Sequence, residues 1–120
     1  MEDFIIYHNP RCSKSRKTLD LMRQEGIEPK ILLYLDNPPS KDKLREIIEN
    51  LGISSRDLLR KKEEEYKKYN LSDETISDND LLSYMVNSPK LIERPIVIKG
   101  NKVIIGRPPE NIYKLIKKSK

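Results

Sequence analysis

Phe4-Ile5-Ile6-Tyr7-His8-Asn9-Pro10-Arg11-Cys12-Ser13-Lys14-Ser15-Arg16 is the stretch from which the fold is read. Residues 4–7 form a short apolar run that stops at His8-Asn9-Pro10, the pattern of a buried strand entering a loop. Pro10 cannot lie inside the helix that follows, Cys12 or Ser13 can cap it, and Leu19 and Met22 supply its apolar stripe. Gly26 suits its C-terminal stop, so Cys12 falls at or near a helix N-terminus. Lys30-Ile31-Leu32-Leu33-Tyr34 is a second apolar run. Strand, helix and strand within about 30 residues make the βαβ pattern, whose default is a parallel pair.

Outward from this unit, Asp36-Asn37-Pro38-Pro39 breaks the chain and Ser40 caps a helix. Leu44, Ile47, Ile48 and Leu51 recur at helical spacing before Gly52. A further helical stretch is expected from near Ser55 through Leu58 and Leu59 into the charged residues 61–68, with Tyr66 and Tyr69, whose polar side reads as a solvated face. Ser77-Asp78-Asn79-Asp80 is a cap with acidic residues in the first turn. Leu81, Leu82, Met85 and Val86 form that helix's buried side, and Asn87-Ser88-Pro89 ends it. Ile96-Val97-Ile98, Gly100-Asn101 and Val103-Ile104-Ile105 read as a hairpin. A last helix has Pro109 at its first position, Glu110 in its first turn, and Ile112, Leu115 and Ile116 inward; Lys117, Lys118 and Lys120 crowd its end. The order β-α-β, helices, β-β-α indicates one α/β domain with a mixed sheet.

Composition narrows the function. A chain of 120 residues is expected to be one domain. Ile, Leu, Val and Phe make up roughly a quarter of it, above the roughly 20% below which disorder is expected. The 24 basic and 19 acidic residues leave +5, with both signs interleaved. That balance favours small anions over a nucleic-acid groove. No apolar run approaches a membrane span, and Met1-Glu2-Asp3-Phe4 lacks the basic start of a secretory signal, so a cytoplasmic protein is expected. The single cysteine, Cys12, excludes an intramolecular disulfide and a multi-cysteine zinc site. With one cysteine and one histidine, no metal site is expected.

A cysteine after a strand and at a helix start meets free backbone N–H groups and the positive dipole end, which favour the thiolate. Arg11, Lys14 and Arg16 add positive charge, and Ser15 is placed to donate a hydrogen bond to sulfur. His8, the only histidine, is either a thiolate tuner or a loop residue hydrogen-bonded for structure. The same loop suits an oxyanion, which would then lie beside the nucleophile. A lone cysteine is more often an inert buried residue, and an arginine more often solvated or salt-bridged. Three arginines stand out nonetheless: Arg60 after Leu58-Leu59, Arg94 before Pro95, and Arg107 in Gly106-Arg107-Pro108-Pro109. The last two sit in proline-bounded loops at strand ends, and guanidinium forks match tetrahedral oxyanions.

Residues 8–16, Leu33-Tyr34-Leu35 with Asn37-Pro38-Pro39, Leu58-Leu59-Arg60-Lys61, Arg94-Pro95-Ile96-Val97 and Gly106-Arg107-Pro108-Pro109 together resemble the ArsC family of glutaredoxin-dependent arsenate reductases, over nearly the whole chain. The resemblance implies a thioredoxin/glutaredoxin-like fold with a four-stranded mixed sheet, as one domain over residues 1–120 with a helical insertion at roughly 40–90. It implies an enzyme of arsenic detoxification in which Cys12 is the nucleophile, His8 and Ser15 lower its pKa, Arg60, Arg94 and Arg107 bind the arsenic oxyanion, and Pro95 is a cis proline facing the cysteine. Glutathione as co-substrate and glutaredoxin as partner then explain how one cysteine serves a two-electron reduction, with no bound cofactor and a monomer expected. Ser13-Lys14 departs from the Gly-Thr pair of the arsenic-operon enzymes, and the chain stops soon after its last helix. It is in these respects more similar to the shorter YfgD-like branch.

Two other functions share the outline. An Spx-like regulator binding RNA polymerase would switch through a Cys-x-x-Cys pair, whereas Ser15 stands in the second place. A monothiol reductase would act instead on another oxyanion at the same site, or on a glutathione mixed disulfide, and the latter would need Cys12 without the three arginines.

Overall fold

The first apolar run and the second lie side by side and parallel, as β1 (Phe4–His8) and β2 (Lys30–Leu33), joined through helix α1 (Ser13–Gln24). The computed structural model describes residues 3–116. The hairpin follows its sequence signal: β3 (Ile96–Lys99) and β4 (Lys102–Ile105) pair antiparallel with Lys99 opposite Lys102, so Gly100-Asn101 is the turn, and Gly100 takes the positive φ of 63° that it needs. β3 also pairs antiparallel with β1, and the sheet order is β2-β1-β3-β4.

These directions gather the candidate site residues. The C-terminal ends of β1, β2 and β4 and the start of β3 all fall on one edge of the sheet, so residues 8–12, 33–36, 94–96 and 105–107 gather there. Behind that edge, Ile6 and Val97 from the sheet pack with Leu19 and Met22 of α1 and with Ile112 and Leu115 near the C-terminus. Fully burying each such side chain is worth about 1.5–3 kcal/mol. β2 is as apolar as β1 but forms a sheet edge, which leaves Ile31 and Leu33 36% and 42% exposed.

The chain groups into two compact units, one made of the residues up to Asn37 and from Arg94 onward, the other of Pro38–Glu93. The second contains α2 (Lys41–Leu51), α3 (Glu64–Lys68) and α4 (Asp78–Asn87). Ser40 and Ser77 cap α2 and α4 by accepting the N–H groups of Lys43 and Asp80, each at 3.1 Å, and Gly52 closes α2 in the left-handed region. Leu81, Leu82 and Met85 are buried, whereas Val86 is only half-buried.

Two helices differ from expectation. The stretch from Ser55 is a short 3-10 turn, Arg56–Leu58, and not a helix running into residues 61–68. Leu59 turns extended and bridges Ile92, the Arg60 N–H donates to the Leu91 carbonyl at 2.7 Å, and the Glu93 N–H donates to the Leu58 carbonyl at 2.9 Å. That bridge lets consecutive Leu58 and Leu59 both be buried. The charged segment then forms only the five-residue α3, none of it buried, and Tyr69 stacks on Tyr84 at 5.2 Å.

The last helix begins as a 3-10 turn, Pro109–Ile112, before α5 (Tyr113–Ile116). Asn111 ties that turn back by donating to the Ile105 and Arg107 carbonyls at 3.0 and 3.1 Å. Its expected basic end, Lys117, Lys118 and Lys120, lies outside the described residues, as do Met1 and Glu2 of the expected non-signal start. No helix among the described residues is long and apolar enough to cross a membrane.

Candidate active site

Cys12 is the N-cap of α1, with an extended backbone and no capping bond from its own side chain. Its N–H donates to the Asn9 carbonyl and its carbonyl accepts the Arg16 N–H, both at 3.0 Å, which fixes the turn from loop to helix. The thiol is 9% exposed. Burial pushes its pKa up, but the Ser15 N–H, a hydrogen bond from Arg94, the Lys14 N–H and the Arg94 charge act against it, and the net result is a lowered pKa. The helix N-terminus thus acts through two identifiable donors that no helical carbonyl occupies.

The sheet brings the arginines to this sulfur. Arg94 lies two residues before β3, and Arg107 lies two residues beyond β4. Arg107 Nη2 donates to Cys12 Sγ at 3.6 Å while its Nε donates to the Arg94 carbonyl at 2.8 Å. The Arg94–Pro95 and Arg107–Pro108 peptide bonds are both cis. Gly106 joins the two loops: its N–H donates to the Pro95 carbonyl at 2.9 Å, and a Cβ there would lie 2.7 Å from Pro95 Cγ and against the Thr18 hydroxyl.

His8 and Ser15 form a buried pair beside Cys12. His8 Nδ1 lies 2.6 Å from Ser15 Oγ, which also accepts the Asn9 N–H at 3.1 Å. The His8 pKa is lowered by burial first and then by the positive charges of Arg23 and Arg16, so the ring is neutral at pH 7. His8 therefore adds no cationic charge beside the sulfur. The described bonds of the Ser15 hydroxyl go to His8 and Asn9, and it is the Ser15 backbone N–H that favours the thiolate.

Arg60 belongs to the Pro38–Glu93 unit. Its side chain is 17% exposed, with Nε donating to Glu63 at 3.2 Å and Nη1 to Glu93 at 3.0 Å. Sequence reasoning missed these two carboxylates, whose spacing from Arg60 carries no signal, and it missed Asn9, whose side-chain oxygen accepts the Arg11 N–H at 3.0 Å. It also gave Gly106 and Asn111 no structural part. A glycine between a β-branched run and Arg-Pro-Pro was the available signal for the first. No group of three or more His, Cys, Asp or Glu among the described residues is placed to hold a metal ion.

A thiolate at a helix start, with two guanidinium groups against it, is a geometry that suits nucleophilic attack on the centre of a tetrahedral oxyanion, because guanidinium groups can neutralise such oxygens within reach of the sulfur.

The ArsC family model matches residues 7–115. The chain is 49% identical to the Escherichia coli K12 protein YfgD, over 92% of this chain and 94% of that one. It is 47% identical to an arsenate reductase of Haemophilus influenzae, over 93% of this chain and 97% of that protein. Among solved structures, the arsenate reductase from Vibrio cholerae superposes with a TM-score of 0.91 at 45% identity, covering 94% of this chain and 97% of that one.

Proposed function

The chain belongs to the ArsC family, and from that premise we propose that it is an arsenate reductase that draws its electrons from glutathione and glutaredoxin. The observation that carries this reading is the Cys12 sulfur 3.6 Å from Arg107 Nη2, with Arg94 bonded to the same sulfur. Arg94 and Arg107 hold the arsenate oxygens, and the Cys12 thiolate attacks arsenic, forming an S–As bond as one oxygen leaves as water. Arsenic is still pentavalent at this point. The glutathione thiol then forms a second S–As bond and a second water leaves.

A glutaredoxin thiolate attacks the glutathione sulfur, that S–As electron pair passes to arsenic, and a glutaredoxin–glutathione mixed disulfide departs. Water displaces the Cys12 thiolate from trivalent arsenic and arsenite is released. In sum, arsenate and two thiols give arsenite, one disulfide and one water. His8 and Ser15 hold the loop that presents the Ser15 N–H to the sulfur. Arg60 is a third candidate for the oxyanion, on the sequence resemblance. The cytoplasm, where thiols are kept reduced, suits this chemistry, and a monomer suffices for it.

Charge-assisted contacts of this kind are worth about 1.5–3 kcal/mol, so Arg94→Ala and Arg107→Ala each lower kcat/KM for arsenate by about 10- to 150-fold. Arg60→Ala with an unchanged KM for arsenate removes that residue from the oxyanion site. The reading is tested by arsenite formation with each reductant omitted in turn: the rate falls to the blank without glutathione, and an undiminished rate without it contradicts the scheme.

A further inference from the structure

We propose that the cleft between the ends of β1 and β2 is the binding site for glutathione, a zwitterionic tripeptide, with Arg11 taking a carboxylate and Asp36 the γ-glutamyl ammonium; this rests on the arsenate reductase reading. The cleft encloses about 340 Å³ and is lined by His8, Asn9, Pro10, Arg11, Leu33, Leu35 and Asp36. That volume lies at the lower end of small-molecule pockets, roughly 300–1,000 Å³.

Its position suits the second thiol. The strand order β2-β1-β3-β4 puts the Cys12 loop, which follows β1, in the middle of the functional edge. Arg94 and Arg107 reach Cys12 from the β3 and β4 side, and the cleft lies on the β2 side. A thiol arriving from the cleft meets an arsenic adduct on Cys12 without displacing the guanidinium groups that hold its oxygens.

The lining separates glutathione from the oxyanion. Arsenate gains from Arg11 but is repelled by Asp36, whereas a molecule with carboxylates and an ammonium is matched by both. Leu33, 42% exposed, gives the peptide stem an apolar surface to cover. Both walls are held in advance: the Arg11 N–H donates to Asn9 Oδ1 at 3.0 Å, and the Asp36 and Asn37 N–H groups donate to the Leu33 carbonyl at 3.1 and 3.0 Å. Such preorganisation reduces the ordering cost of binding.

The test is a titration of isotope-labelled protein with S-methylglutathione, a thioether that reacts with neither arsenic nor disulfides. Amide shifts should concentrate at Asn9, Arg11, Leu33, Leu35 and Asp36, and the exposed-site variants Arg11→Glu and Asp36→Lys should each weaken binding by about tenfold or more. Removing the ligand's α-amino group should weaken binding to the wild type but not to Asp36→Asn. Shifts centred instead on Ile96, Gly106 and Arg107, or variants that bind like the wild type, overturn the assignment. The titration contains no arsenate, so the two readings fail separately. Arsenite formation with shifts mapped elsewhere overturns the cleft alone, and cleft binding without arsenite formation overturns the reductase reading alone.

Discussion

Gly106→Ala is a single added methyl group whose cost can be worked from the structure. The new Cβ would sit 2.7 Å from Pro95 Cγ, 3.2 Å from Pro95 Cδ and against Thr18 Oγ1. Carbon atoms rest at about 3.5–4.0 Å, so something must move by about 1 Å. Neither neighbour is loose. The Gly106 N–H is bonded to the Pro95 carbonyl at 2.9 Å and the Thr18 hydroxyl to the Lys14 carbonyl at 2.8 Å. Overpacking of this kind costs about 1–3 kcal/mol. Arg107 is the next residue, and a shift of about 1 Å carries its Nη2 out of reach of a sulfur now 3.6 Å away, a misplacement worth up to about 100-fold in rate. Urea unfolding and arsenite turnover on the same preparation read both effects. Adding Thr18→Ala removes the oxygen but leaves Pro95 in the way, so it should restore part of the stability and not all of it. A Gly106→Ala protein with wild-type stability and wild-type turnover would refute the reasoning.

Arg94→Ala should raise the Cys12 pKa, because it removes both a hydrogen bond and a positive charge from the thiolate; ultraviolet thiolate absorbance against pH reads the shift, and an unmoved curve contradicts it. His8 has a folded pKa below its unfolded value of about 6.5, so its contribution to stability is complete above that pH and is lost as pH falls through the lowered folded value. His8→Gln should therefore flatten the loss of stability as pH falls below about 6.5, measured as denaturant midpoints; an identical slope in both proteins removes His8 as its source. Ser40→Ala and Ser77→Ala each leave a helix N–H without its cap and should cost about 1 kcal/mol in urea unfolding, with no change in the thiol pKa.

What was legible in the sequence was what short-range chemistry decides. Ser40 and Gly52 bound α2, Gly100-Asn101 makes the hairpin turn, and Pro10 followed by Cys12 marks where α1 starts, because caps, positive φ and proline act on their own neighbours. The Ser55 stretch misled because Leu58 and Leu59 serve a long-range bridge to Ile92, which overrides helix propensity and has no local mark. At the site, Cys12, Arg94 and Arg107 were visible as residue types in constrained places, but the contact between Cys12 and Arg107 spans 95 positions and exists only once the sheet is assembled. The division of labour within Ser15, hydroxyl to His8 and backbone N–H toward the sulfur, depends on atom positions that no spacing rule resolves.

The central claim is that the Cys12 thiolate is the group that attacks arsenate. Arsenite formation from arsenate with glutathione and glutaredoxin, measured for the wild type beside Cys12→Ser, tests it most directly. Turnover is expected in the wild type and none above the blank in Cys12→Ser, whose hydroxyl stays protonated where the thiol ionises. Equal arsenite formation by the two proteins, or a wild type no faster than the blank, would contradict it.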